Sequence, residues 1–179
     1  SGARVFDTTR GFQAVWHLNE PPVSGMSCIL NRTGSRTNGV PRNNLNVADL
    51  VEGAIGKALN FDGPIGNGGD WVQIPNDESL EYSGHLVISA WFRVLDTGCN
   101  CDLGIFSKYV ETGSAMRGYV LSYHSNQRLI FAVGSGTVLY YIYSDNTIVD
   151  NAWHHVTAGV SADTLFMYVD GRKQSASIR

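Results

Sequence analysis

Apolar residues along this chain recur with a period of two rather than 3.6. In "LVISAWFRV" (86–94), Leu86, Ile88, Ala90, Phe92 and Val94 fall on one side, and Val87, Ser89, Trp91 and Arg93 on the other. A strand with one wholly apolar face has this pattern. Comparable short runs recur, separated by Gly, Asn, Asp and Ser: "AVWHL", "ALNFDG", "WVQIP", "GIFSKY", "GYVLSYH", "RLIFAVG", "VLYYIYS", "WHHVTAGV" and "TLFMYVDG". Many short strands with little helical periodicity predict an all-β sandwich or barrel. Between Asn19 and Gly56 the chain is rich in Asn, Gly, Pro, Ser and Arg, which predicts a long irregular connection with at most a short turn of helix. Loops of that length usually bind something or hold an ion.

At 179 residues with 43% hydrophobic content, the chain is long enough to bury one core. A formal charge of -3, with no cluster of Lys and Arg, gives nothing to neutralise a phosphate backbone, so nucleic acid is not an expected partner. No window reaches the ~20 apolar residues that span a bilayer, and membrane insertion is not expected.

Three cysteines, Cys28, Cys99 and Cys101, leave at least one thiol unpaired within the chain. "GCNCD" could close on itself only through a small strained ring, so a bridge from Cys28 to Cys99 or Cys101 is the preferred pairing. Three free thiols are the alternative. His154 and His155 alternate on a strand, His155 with Trp153 and Thr157, and His154 with Val156, Ala158 and Val160. Imidazoles on opposite faces do not share a metal, so the pair is expected to be architectural. A hairpin follows, with its turn near "SADT" and a closing "DG" at Asp170 and Gly171.

"WHHVTAGVSADTLFMYVDG", preceded by "AIGKALNFDG", "DWVQIPNDESLEYSG" and "LVISAWFRV", closely resembles the laminin-G-like branch of the concanavalin A-like lectin/glucanase superfamily. The form is the one common in bacterial secreted and surface proteins, and the resemblance runs from about Phe12 to Gly171. It implies a jelly-roll sandwich of two antiparallel sheets over residues 12–179, with 1–11 as a junction from a preceding domain. It also implies further C-terminal strands that this sequence does not show. Trp16, Trp91 and Trp153 stand at core positions of the family, whereas Trp71, beside "GNGGD", is expected to be partly exposed.

Glucanases on this fold carry an alternating acidic strand of the ExDxE type, and none occurs here. "NDESLE" and Asp102 read as solvated charge, and GxSxG, HExxH and GxxxxGK[ST] are absent from the sequence, so no catalytic residue is assigned. "GSG" at 134–136 and "GNGG" at 66–69 read as turns.

The resemblance also implies a structural calcium ion at a sheet rim, with Asn31, Asn38 and Asp62 as candidate ligands; a hydrogen-bonded loop is the alternative. Asn31 opens an N-x-T sequon as well. Sugar recognition needs aromatic faces and planar polar groups. Tyr140, Tyr141, Tyr143 or Trp71 could stack on a sugar, with Asn126, Arg128, Asp145 or Asn146 bonding its hydroxyls; packing of the tyrosines in the core is the alternative. The expected function is a noncatalytic binding module of a secreted or cell-surface bacterial protein, with carbohydrate as ligand. A protein-binding adhesion or spacer domain is the second reading, and a glycoside hydrolase with its carboxylate pair brought together from distant strands is the third.

Overall fold

The computed structural model describes residues 6, 8–62, 69–82, 84–95, 101–112 and 115–175. Regular structure there consists of twelve strands and three short 3-10 turns, and every strand pairing is antiparallel. The all-β expectation is met. Among the described residues no helix is long and apolar enough to cross a membrane. The chain divides into two compact units, Ser1–Glu81 and Tyr82–Arg179.

The first unit holds β1 (Val40–Arg42) paired with β4 (Trp71–Gln73), and β2 (Leu50–Glu52) paired with β3 (Lys57–Leu59). Ile29, Leu45 and Leu59 form its buried centre, with Trp16, Leu18, Cys28, Leu50 and Val72 packed against them. The stretch expected to be irregular therefore contains two three-residue strands and a 3-10 turn, Val47–Asp49. Strands this short bury too few alternating positions to leave a periodic signature.

In the second unit β5 (Leu86–Phe92), β10 (His154–Ser161), β11 (Thr164–Val169) and β12 (Arg172–Lys173) form one sheet in the order β12-β11-β10-β5. A second sheet has the order β6-β7-β8-β9, from Leu103–Thr112, Ala115–Tyr123, Leu129–Gly136 and Leu139–Tyr143. Both sheets contribute to one core: Phe92, Val156, Ala158, Val160, Leu165 and Met167 from the first, and Tyr119, Leu121, Tyr123, Leu129, Phe131, Val133 and Ile142 from the second. Leu86, Ile88 and Ala90 pack against it from β5, as the alternation requires. This is a β-sandwich, with side chains of two inner faces interdigitating.

Turn chemistry sets the register of the first sheet. Ser161 pairs with Thr164 across Ala162 and Asp163, both at positive φ, and Val169 pairs with Arg172 across Asp170 and Gly171, also at positive φ. Two-residue turns of this hand match the twist of the flanking strands. The "GSG" run instead falls at the end of β8, and "GNGG" lies largely outside the described residues.

Two expectations are corrected. Cys28 is a free thiol, and its Sγ accepts a hydrogen bond from Val23 N–H at 3.3 Å. Cys101 is disulfide-bonded, so the bridge does not run through Cys28; Cys99 lies outside the described residues. Trp91 is 48% exposed rather than core, because it alternates with the inward Ala90 and Phe92 and so projects from the opposite face. Trp153 is half-buried, with the Arg93 guanidinium 5.3 Å from its ring.

Candidate functional site

In the first unit three carboxylates converge. Asp49 ends the 3-10 turn, where Asn46 caps both ways: Ala48 N–H donates to Asn46 Oδ1 at 3.0 Å and Asn46 N–H to Asp49 Oδ2 at 2.8 Å. Asn60 N–H donates to the Asp49 carbonyl at 2.8 Å, which brings the segment leaving β3 alongside. Asp62 follows on that segment, and its carbonyl accepts from Asp70 N–H at 2.9 Å. Asp70 Oδ1 in turn accepts from Asn44 N–H at 3.0 Å, and Asn43 donates to the Gly69 carbonyl.

Carboxylate oxygens of Asp49, Asp62 and Asp70 consequently lie within 4.8 Å of one another. Asp62 is exposed, yet partial desolvation of its carboxyl raises it above the usual range, and the Asp49 charge and a hydrogen bond with Asp70 raise it further. The Asp70 Oδ2 atom is buried without a hydrogen-bond partner. An orphaned oxygen in an all-oxygen cluster fits a hard divalent cation, which takes 6–8 oxygens in the case of calcium. Of the residues expected as metal ligands, Asp62 lies in this carboxylate cluster; Asp49 and Asp70 were not expected beside it, because only the hydrogen bonds among three loop segments bring them there. The sole sequence signal was the pair Asp62 and Asp70 flanking one Gly-rich stretch.

Asn31 has a different task. Its Oδ1 accepts from Val15 N–H, Thr33 N–H and the Thr33 hydroxyl at 3.1, 3.0 and 2.9 Å, and its Nδ2 donates to Ser35 Oγ and Thr37 Oγ1 at 2.6 and 2.7 Å. The residue is only 7% exposed. Asn38 Oδ1 accepts from Asn31 N–H at 2.9 Å. These two asparagines build the hydrogen-bonded loop that was the alternative to calcium. The same occupied Nδ2 makes the sequon unavailable in the folded chain.

The expected sugar-binding residues separate into groups. Tyr141 and Tyr143, on one face of β9, meet edge to face at 5.5 Å, and His124 meets Tyr143 likewise at 5.4 Å. The β7–β8 turn carries the polar neighbours: Asn126 Oδ1 accepts from Arg128 N–H, and Asn126 N–H donates to His124 Nδ1, both at 3.1 Å. Asp102 Oδ1 accepts from Ser125 N–H at 2.9 Å.

Tyr140, opposite Val133, alternates to the other side of β9 and is exposed. Asp145 is committed to the chain itself, accepting from Ser175 N–H at 2.8 Å and Ser175 Oγ at 3.4 Å. The Asn146 carbonyl accepts from Ser144 Oγ at 2.8 Å. Trp71 is 47% exposed, as expected, but sits on β4 of the first unit.

The two histidines do point to opposite faces. His154 is bracketed by carboxylates, with Nδ1 2.7 Å from Asp170 Oδ2 and Nε2 2.9 Å from Asp150 Oδ1. His155 Nε2 lies 2.8 Å from Ser89 Oγ, and its ring 5.1 Å from that of Trp91.

Residues 66–178 match the concanavalin A-like lectin/glucanases superfamily, in its laminin-G form. The chain belongs to that superfamily. Its laminin-G-like sandwich is similar in fold to a crystal structure of residues 221–444 of an S-layer domain-containing protein from Clostridium thermocellum ATCC 27405, with a TM-score of 0.56 and 22% identity over 90% of this chain and 70% of that one. No protein of curated function matches the chain.

Proposed function

We propose that this chain is a noncatalytic, carbohydrate-binding module of a bacterial surface protein, and that its first unit is braced by calcium at Asp49, Asp62 and Asp70. The observation that carries the carbohydrate reading is the grouping of Tyr141, Tyr143 and His124 beside the Asn126–Arg128 turn. Aromatic rings beside a polar turn offer both halves of sugar recognition, a face for C–H surfaces and partners for hydroxyls. Membership of a lectin and glucanase superfamily, and the fold shared with a piece of an S-layer domain-containing protein, support a binding role at a surface. The missing ExDxE strand supports the noncatalytic reading.

Calcium would supply charge compensation and hold the three loop segments together; none of the binding chemistry is routed through it. A screen of the folded protein on a glycan array, with calcium and with a chelator, tests the reading. Selective binding to one polysaccharide class supports it, and silence from folded protein rejects it. The second reading, a protein-binding adhesion domain, is favoured by the exposed Ile55, Phe61 and Trp71 of the first unit, since exposed apolar side chains mark protein contacts. Silence on the array would move the search to protein partners.

A further inference from the structure

On the first sheet of the sandwich, the face turned away from the core has its own organisation. Val156, Ala158, Val160, Leu165 and Met167 are buried in the core, so His155, Thr157, Gly159, Phe166 and Tyr168 project outward, together with Val87, Ser89 and Trp91 of β5. Strand register sets these in rows: Trp91 beside His155; Ser89 beside Thr157, Tyr168 and Lys173; Val87 beside Gly159 and Phe166.

Two large rings stand exposed on this face, Trp91 at 48% and Tyr168 at 37%, and both are held from the side. Trp91 leans on His155 at 5.1 Å, and His155 Nε2 is fixed by Ser89 Oγ at 2.8 Å. Ser89 Oγ also accepts from the Thr157 hydroxyl at 3.5 Å. Tyr168 packs edge to face on Phe166 at 6.2 Å. Phe166 reaches across Gly159, where a Cβ would stand 2.8 Å from its Cζ. Holding exposed aromatics in place before a ligand arrives removes the ordering cost that weakens binding.

We infer that this outer face is a glycan-binding platform, on which an extended sugar chain stacks on Trp91 and Tyr168 and bonds its hydroxyls to Ser89, Thr157 and Lys173. Two strand spacings across and two residues along put the Trp91 and Tyr168 positions about 12 Å apart, a span suited to a short run of linked pyranose rings. Hydroxyl groups between two rings suit a hydroxyl-rich ligand with apolar ring faces, whereas a protein partner would call for a continuous apolar patch. The inference rests on the carbohydrate reading above and adds a contact face away from Tyr141 and Tyr143.

Native affinity electrophoresis of the full chain tests it, with hydroxyethyl cellulose, xylan, glucomannan or polygalacturonate cast in the gel. The variants are Trp91→Ala, Trp91→Phe, Tyr168→Ala and a Tyr141→Ala/Tyr143→Ala double change, each checked by thermal melting. Retardation of the wild type by one polymer, weakened by roughly tenfold or more in Trp91→Ala and Tyr168→Ala at unchanged melting temperature, is the expected result. If Trp91→Ala melts early, Trp91→Phe and Tyr168→Ala decide: weakened binding by Tyr168→Ala supports the platform, and wild-type binding by both overturns it. Binding abolished only by the Tyr141/Tyr143 change also overturns the platform, while leaving the carbohydrate reading standing. A wild type retarded by none of the polymers and silent on the glycan array rejects both.

Discussion

His154 Nδ1 lies 2.7 Å from Asp170 Oδ2, across the end of the β10–β11 ladder. With Nε2 at 2.9 Å from Asp150 Oδ1, each ring nitrogen faces a carboxylate, and both nitrogens can donate only when the imidazole is protonated. Burial of the ring opposes that charge, but the hydrogen bonds and charges of Asp150 and Asp170 outweigh it and hold His154 above the ordinary histidine range. The bond from His154 lowers Asp150; burial pushes Asp170 up, but the bonds from His154 and His155 N–H bring it below the usual carboxylate range.

The pH dependence follows from these directions. A histidine raised in the folded state contributes stability that is fully present below about pH 6.5 and is lost as pH rises through its folded value. The depressed carboxylates contribute above about pH 3.9 and lose their part as pH falls through their folded values. The clamp is therefore strongest in the mildly acidic window between. Both carboxylates are largely exposed, at 60% and 48%, so His154→Gln is expected to cost only about 1 kcal/mol at pH 5. Melting curves of wild type and variant from pH 5 to 9 check this: the gap should close at alkaline pH, and a constant gap would contradict the protonated clamp.

At the carboxylate triad the sign is opposite to that of Asp150 and Asp170. Asp62 is raised, so in the absence of a cation its charge opposes folding increasingly as pH rises through the folded value. Calcium is expected to raise the melting temperature, more at pH 7 than at pH 4.5, with roughly 2.7 kcal/mol of stabilisation at a concentration 100-fold above its Kd. Asp62→Asn and Asp70→Asn should abolish the calcium effect. Differential scanning calorimetry with calcium, and with a chelator, gives the answer.

Asn31 makes five side-chain hydrogen bonds from a nearly buried position. Asn31→Ala strands the Val15 and Thr33 N–H groups and should destabilise the first unit by roughly 2–4 kcal/mol. Hydrogen exchange of Val15 and Thr33 amides should rise sharply in the variant; unchanged protection would show that the loop re-pairs without it.

Two glycines are irreplaceable for steric reasons. A Cβ at Gly118, where φ is +96°, would stand 1.9 Å from the Lys108 carbonyl oxygen, and one at Gly159 would stand 2.2 Å from that of Leu86. Gly118→Ala and Gly159→Ala are each expected to cost about 3 kcal/mol or more, because backbone rather than a mobile side chain must shift. Denaturant titration of both variants tests this, and a loss below about 1 kcal/mol would mean the sheets relax more readily than their register implies.

Much of the sandwich was legible because its strands are long enough to alternate. Leu86, Ile88 and Ala90 against Val87, Ser89 and Trp91 state the inner and outer faces outright, and the separation of His154 from His155 follows from the same rule. The family pattern placed Trp91 in the core against that alternation, and the alternation was right. The first unit was less readable: β1 and β2 are three residues each, too short to show an alternation, and β1 depends on a distant partner, Arg42 pairing with Trp71 across the intervening chain. The cysteine pairing failed for a related reason, since a preference between bridges depends on where each thiol ends up, and Cys28 is engaged at Val23.

By itself, then, the sequence determined the fold class, the inward face of β5, the separation of His154 from His155 and the turns at Asp170 and Gly171, because alternation and backbone φ are local properties. Only the tertiary structure decided that Asp49, Asp62 and Asp70 meet, that Asn31 is consumed by its own loop, and that Trp91 and Tyr168 share an exposed face. Each of those depends on bonds between segments distant in the chain, and residue type and spacing carry no direct record of such bonds.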